Sequence, residues 1–308
     1  MSHSFIQQDD VQKLLREGAG LNGPEGNERF KSIIHRLLGD ICTLIDDYNV
    51  TQEEFWHAVN YLHELGGRQE AALLAAGLGL EHFLDLRQEA IESRLSAETG
   101  TPRTIEGPLY VANAPLADGY ARMDDGKDAG EVMWLHGQVR DVHGQPVAGA
   151  IVDIWHANTL GNYSFFDQSQ SDYNLRRRIR TDAEGRYSVR SILPSGYGCP
   201  PDGPTQKLLD QLGRHGNRPA HIHFFVSAPG FKHLTSQINL NGDQYLWDDF
   251  AFATRDGLIA DPVKVSDPAL IQQRGLAGEH TEVCFDFTLC TAQNAEEEQR
   301  ITRLRAQE

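Results

Sequence analysis

Arg218-Pro-Ala-His-Ile-His-Phe-Phe225 is the stretch on which the reading of this chain turns. Apolar residues flank the two histidines, which suits a buried strand better than a solvated loop. Side chains alternate between faces along a strand, so His221 and His223 project side by side from one face. Two adjacent imidazoles can share a metal ion. The same pattern arises when one histidine packs in a core and the other stands half exposed, so the pair alone leaves both readings open.

Two tyrosines upstream bear on the choice. Tyr163 lies in Asn158-Thr-Leu-Gly-Asn-Tyr-Ser164, just after a strand signal, where a loop can aim it inward. Tyr197 sits in Pro194-Ser-Gly-Tyr-Gly-Cys-Pro-Pro201, a turn-rich loop unlike a core strand. Taken singly, each reads as an edge tyrosine with a wet hydroxyl. Taken with the histidines, they offer two phenolates and two imidazoles. A phenol with an ordinary pKa of about 10 binds most divalent ions poorly at neutral pH. A trivalent, hard cation can displace the proton, because its charge dominates local ionisation. Two phenolates would offset two charges of Fe(III) and a hydroxide the third, so the donor set favours non-haem ferric iron over zinc, copper or magnesium.

Composition bounds the function class. The 308 residues suffice for one large domain or two smaller ones. Acidic residues outnumber basic ones, 44 to 28, for a formal charge of −16. That charge repels phosphate backbones and anionic membranes, so no nucleic-acid partner is expected. Cys42, Cys199, Cys284 and Cys290 include no C-x-x-C pair, which fits reduced thiols rather than a disulfide framework or a zinc site. The N-terminus lacks a basic region followed by an apolar run, and no stretch is apolar enough to span a bilayer. The expectation is a cytoplasmic protein without membrane insertion.

The chain changes texture near Gly100. Residues from about 9 to 97 read as helical. Phe30, Ile33, Ile34, Leu37, Leu38, Ile41, Leu44 and Ile45 recur at helical spacing, and Thr51-Gln-Glu-Glu54 is a capping box opening a second helix that ends at Gly66-Gly67. A third tract runs from Ala71 into Ile91. Such helices must cover their apolar faces with one another, with the rest of the chain or with a second subunit. Residues 101–111 read as an extended linker, and from there to about residue 290 the signals are strands. Residues 132–140 and 150–155 flank a turn at His143-Gly-Gln-Pro146; residues 178–181 and 186–192 flank another at Asp182-Ala-Glu-Gly185 and read as a hairpin. Residues 221–227, 234–240 and 283–289 add three more strands. The predicted fold is α+β: an N-terminal helical dimerisation and linker domain (1–100), then an antiparallel β-sandwich catalytic domain (101–308) ending in a charged helical tail over 296–308.

Longer motifs connect these features to a known family. Leu135-His-Gly-Gln-Val139 with Asp153-Ile-Trp-His-Ala-Asn158 resembles the signature of the intradiol ring-cleavage dioxygenases. So do Tyr173-Asn-Leu-Arg-Arg-Arg178, Pro194-Ser-Gly-Tyr-Gly198 and Gly213-Arg-His-Gly-Asn-Arg-Pro-Ala-His-Ile-His223. Thr235-Ser-Gln-Ile-Asn239 and residues 248–257 continue the match, and the helical front half suits it, so the resemblance covers nearly the whole chain in order.

The resemblance implies an oxidoreductase that cleaves catechol with O2 at a non-haem Fe(III) centre, giving cis,cis-muconate in aromatic-compound degradation. Trp155-His-Ala-Asn158 resembles the catechol branch rather than the protocatechuate branch. By carry-over, Tyr163, Tyr197, His221 and His223 are the metal ligands, with Tyr197 and His223 axial and Tyr163 and His221 equatorial. Tyr197 also accepts a substrate proton, Arg218 stabilises negative charge on the substrate, and Gln237 orients the hydroxide. The family's substrate pocket maps onto Leu73, Ala76, Ile105, Pro108, Leu109, Phe250 and Ala251. The resemblance further implies a homodimer joined through the N-terminal helices, with an apolar tunnel sized for a phospholipid. Chlorocatechol or hydroxyquinol cleavage is the near alternative. A zinc hydrolase built on the H-x-H pair would want a carboxylate or third histidine, and a non-catalytic sandwich module would want no metal.

Overall fold

The computed structural model describes residues 5–95, 98–294 and 297. The chain divides into two compact units, Met1–Gly67 and Arg68–Glu308. The first holds helices α1 (Asp9–Gly18), α2 (Glu28–Asp47) and α3 (Gln52–Gly67). The Asn27 side chain caps α2 by accepting from Phe30 N at 2.9 Å. The capping box opens α3 as the sequence predicts: Thr51 N donates to Glu54 Oε2 at 2.8 Å, and Glu54 N donates back to Thr51 Oγ1 at 3.2 Å. Much of the apolar stripe of α2 stays uncovered in the single chain, with Phe30 63% and Leu44 55% exposed.

The first compact unit ends at Gly67, inside the helical stretch. Helices α4 (Ala71–Gly77) and α5 (Leu80–Leu95) belong with the strands that follow them. Sequence texture reports local helix formation, whereas a compact unit is defined by what the helices pack against. Ala76 is buried with Leu209 and Phe250, and a Cβ added at Gly77 would stand 3.1 Å from the Phe250 ring. Arg255 clamps α5 through Glu89, with Nη1–Oε1 at 2.5 Å and Nη2–Oε2 at 2.7 Å. The single tract read from Ala71 into Ile91 is two helices, interrupted at Gly79 with φ of +73°.

Two packed sheets form the rest. One runs β1 (Leu116–Asp118), β5 (Arg176–Arg180), β4 (Ile151–His156), β9 (His221–Ser227), β10 (Leu234–Leu240), β11 (Ile259–Ala260). The other runs β12 (Val263–Val265), β13 (His280–Cys284), β3 (Val132–Asp141), β6 (Arg186–Ile192), β2 (Tyr120–Arg122), with β14 (Phe287–Leu289) also beside β3. A short pair, β7 (Tyr197–Gly198) with β8 (Asn217–Arg218), and helices α6 (Pro204–Gln211) and α7 (Pro268–Gln273) complete it. The central pairs are antiparallel, as predicted, but β1–β5, β2–β6, β10–β11, β3–β13 and β3–β14 are parallel, so the sheets are mixed. The 182–185 turn does not close a hairpin, and the 143–146 turn does not return β4 beside β3. Each carries the chain from one sheet to the other, and β3 pairs with β6 while β4 pairs with β5. A turn signal marks reversal of the chain; which strand then receives its hydrogen bonds is decided by the layer that buries its apolar face. The predicted strand over residues 283–289 is split into β13 and β14. The predicted tail over 296–308 lies, residue 297 apart, outside the described residues.

Alternation on β9 sets up the site. Ile222, Phe224 and Val226 enter the core between the sheets, so His221, His223 and Phe225 face the other way. All but the last residue of the strand are buried, which means the outer face is roofed as well.

Candidate metal centre

Register aligns a row of side chains across that outer face. Arg176 on β5 stands opposite Trp155 on β4, Trp155 opposite His223 on β9, and His223 opposite Gln237 on β10. Asn239 stands opposite His221. The small β7–β8 ladder pairs Tyr197 with Arg218, placing both beside the start of β9. Tyr163 arrives on the loop after β4. Gly161, at φ +80°, lets this loop press against the next one: a Cβ there would sit 2.5 Å from Tyr197 Cβ. The segment through residues 104–110 roofs the site, since a Cβ at Gly107 would stand 3.7 Å from His223 Cε1.

The four predicted donors converge. His221 Nε2 lies 3.1 Å from His223 Nε2, 3.5 Å from Tyr163 Oη and 3.4 Å from Tyr197 Oη. Atoms bound to one metal at about 2.0–2.1 Å lie about 2.9–3.4 Å apart when at right-angled to tetrahedral spacing, close to the 3.1–3.5 Å of this cluster. Tautomer supports the same conclusion. His221 Nδ1 is 2.6 Å from the carbonyl of Pro219, which can only accept, so Nδ1 carries the proton and Nε2 presents a lone pair to the cluster. Burial, reinforced by Arg218, pushes the His221 imidazole down to about 3. Burial, with His221 and Arg218 adding, also holds His223 well below its ordinary value. Both rings are therefore neutral and able to ligate. Tyr163, only 3% exposed, is driven well above its ordinary pKa, first by burial and next by Tyr197, against the opposing charges of Arg218 and Arg176. A buried phenol of this kind gives up its proton only to a strong cation, so the donor set fits a trivalent metal. Among the described residues, no group of three or more His, Cys, Asp or Glu side chains is arranged to hold a metal ion.

Arg218 points its Nη1 at the cluster, 3.0 Å from His221 Nε2. Asp249 grips the same guanidinium twice, Nε–Oδ1 at 3.2 Å and Nη2–Oδ2 at 3.1 Å. Burial works against the charged form of Arg218, but Asp249 and the tyrosines hold its pKa above the ordinary value. Burial likewise opposes ionisation of Asp249, and Arg218 overcomes it, leaving the carboxyl below its usual range. Gln237 Oε1 accepts from Arg218 Nη2 at 2.8 Å, and Gln237 Nε2 donates to Asn239 Oδ1 at 2.8 Å. Trp155 lies flat on His223, with ring centroids 5.0 Å apart and planes 4° apart.

The predicted pocket residues fall into two neighbouring groups. Ala76, Ile105, Phe250 and Ala251, with Leu73 beside them, share one apolar cluster with Cys199 and Leu209. Leu109 packs instead with Trp155, Tyr163 and Phe225, and Pro108 is half-buried between Gly107 and Leu109. A cavity of about 570 Å³ opens beside Tyr197 and Arg218. Sequence reasoning missed Asp249, Trp155 and Arg176 as individual contributors, although each lies inside a quoted motif. Only strand register could have aligned Trp155 and Arg176 with His223, and no periodicity rule reaches Asp249 in its loop.

Comparison with known proteins agrees with this geometry. The family model described as Dioxygenase matches residues 105–291, and that described as Catechol dioxygenase N terminus matches residues 27–95. A catechol 1,2-dioxygenase of Acinetobacter baylyi is 52% identical over 308 residues, covering 99% of each chain. One from Pseudomonas sp. is 54% identical over 299 residues, covering 97% of this chain and 98% of the relative. The crystal structure of catechol 1,2-dioxygenase from Pseudomonas arvilla C-1 superposes with a TM-score of 0.94 at 59% identity, covering 99% of both chains. The family models span most of the chain and these relatives match it nearly end to end, so the chain belongs to the intradiol ring-cleavage dioxygenase family.

Proposed function

We propose that this chain is a catechol-cleaving dioxygenase that opens the ring between the two hydroxyl-bearing carbons with O2, yielding cis,cis-muconate. The observation that carries the reading is the convergence of Tyr163, Tyr197 and His223 within 3.5 Å of the buried Nε2 of His221. These four side chains would hold Fe(III). When bound, ferric iron would supply a Lewis-acidic, redox-active centre that makes the catechol ring reactive towards O2. The rest is the work of the chain. Tyr197, half-buried where Tyr163 is buried, would be the one to take a substrate hydroxyl proton on Oη. Arg218 Nη1 presents fixed positive charge where substrate oxygens become anionic, and Asp249 and Gln237 stop it from turning away. Leu73, Ala76, Ile105, Pro108, Leu109, Phe250 and Ala251 supply an apolar wall that excludes water and favours an aromatic ring.

The exposed apolar faces of α2 and α3 support a homodimer formed through the helical unit. Phe30, Ile33, Leu37, Ile41 and Leu44 on α2 and Phe55, Trp56, Val59 and Leu62 on α3 are all exposed in the single chain. Such a surface also suits a phospholipid held between copies.

Iron assay and visible spectra, before and after catechol is added without oxygen, test the function. The purified protein should be burgundy from phenolate-to-iron charge transfer, catechol should shift the band, and oxygen should then give an ultraviolet-absorbing muconate. A colourless zinc protein, or a yellow semialdehyde product, would end the proposal.

A further inference from the structure

Two arginines are buried at this site, and their surroundings differ. Arg218 has a bidentate carboxylate partner in Asp249. Arg176, 1% exposed, hydrogen-bonds no carboxylate among the described residues. Its Nε donates to Ser164 Oγ at 2.9 Å and its Nη2 to the Ser164 carbonyl at 3.2 Å, while Nη1 is buried without a partner among the described residues. Ser164 is the neighbour of Tyr163, and the Arg176 guanidinium carbon lies 5.7 Å from the centroid of the Tyr163 ring. A guanidinium taken out of water needs a counter-charge. Against burial, two acidic groups act on it most, Tyr163 first and the buried carboxyl of Asp153 second, and burial pushes that carboxyl up to about 7. The full anion that a bound trivalent metal would create beside Arg176 is the Tyr163 phenolate.

We propose that Arg176 is the counter-charge of the Tyr163 phenolate: it fixes the ring through Ser164 and, as a cation over the ring face, reduces how strongly the phenolate donates to the metal. This rests on Tyr163 being a ligand. The row geometry gives the contact its rigidity, because Arg176 is locked opposite Trp155, which itself stacks on His223. The direction of the effect follows from electrostatics. A nearby cation lowers the energy of the phenolate electrons, raising the energy of charge transfer to Fe(III), and it favours Fe(II) over Fe(III). Removing the cation reverses both.

The test uses the iron-loaded full-length protein with Arg176→Met, Arg176→Lys, Ser164→Ala and Tyr163→Phe, measuring the charge-transfer band and the Fe(III)/Fe(II) midpoint potential. Arg176→Met should move the band to longer wavelength and the potential to more negative values. Arg176→Lys should restore most of both, and Ser164→Ala, which keeps the charge but loosens it, should shift them less. A purely structural role would lower iron content without moving the band of the molecules that retain iron. If Tyr163→Phe leaves the band unchanged, the ligand assignment fails. If Tyr163→Phe changes it while Arg176→Met does not, the assignment stands and the Arg176 proposal is overturned. Should Arg176→Met not fold, Arg176→Gln takes its place: an unmoved band and potential in Arg176→Gln, together with an unmoved band in Ser164→Ala, overturn it equally.

Discussion

Strand β9 and helix α2 carry apolar patterns of similar clarity, yet the two regions use them differently. On β9 both faces are covered inside the chain: Ile222, Phe224 and Val226 by the opposite sheet, His221 and His223 by the roof over the site. On α2 the stripe through Phe30, Leu37 and Leu44 is left exposed. Periodicity says which residues share a face, but what covers that face is a separate question. Both faces of β9 are covered within one chain, whereas α2 offers surface to something outside it. Substitutions in the two regions should accordingly differ in both size and kind.

The largest effect is expected where a buried charge loses its partner. Asp249→Ala strands the Arg218 guanidinium in a site where Arg218 is 4% exposed, and removing one member of a buried pair costs about 3–5 kcal/mol. Denaturant unfolding should show this loss, accompanied by weaker catalysis. A stability within about 1 kcal/mol of the parent would mean that water reaches the pair and the site is open.

A smaller effect should appear with pH. His156 is wholly inside the sandwich, with Nδ1 2.7 Å from the Ala157 carbonyl and Nε2 2.8 Å from Ser191 Oγ. Burial pushes it down to about 4, and does the same to His233. The unfolded chain binds these protons at about pH 6.5, before the folded one does, so their contribution is complete above that value. It is lost as pH falls towards 4, at about 1.4 kcal/mol per unit for each group. In iron-free protein His221 and His223 act in the same direction, while Asp153 and Asp85, whose carboxyls burial pushes up to about 7 and about 6, oppose them. With four histidines against two carboxyls, urea midpoints should drop on balance between about pH 6 and about pH 4. A flat profile would show that these histidines are already hydrated in the fold.

The smallest effect on folding should come with the largest effect on assembly. Ile41→Glu on α2 lies on an exposed position, so the unfolding free energy should change by less than about 0.5 kcal/mol. Light scattering should nevertheless show a dimeric parent becoming monomeric. A parent that is monomeric at micromolar concentration would break the comparison, leaving the exposed stripe without an occupant.

Much of this architecture is legible in the amino-acid order. Thr51 and Glu54 announce a helix start because both partners lie within one turn of chain. His221 and His223 share a face because alternation is a local property of a strand. The donor set of Tyr163, Tyr197, His221 and His223 can be named because phenol and imidazole chemistry belongs to residue type. Features that depend on distant pairing are less legible. The turns at 143–146 and 182–185 are visible in the sequence, but not that each changes sheet. Helices α4 and α5 are visible too, but not that they belong with the sandwich rather than with α1–α3.

What the amino-acid order determined by itself was thus every property set within a few residues: helix starts, strand faces, the types of the metal-seeking groups. Tertiary structure alone decided that four such groups from three separate segments meet, the other three within 3.5 Å of His221 Nε2. It alone decided that Asp249 holds Arg218 and that Arg176 lies over Tyr163. The physical reason is that burial sums over the whole fold. A charge or phenol is costly or useful only according to what excludes water from it, and the residues that do so come from wherever the sheets and loops bring the chain back.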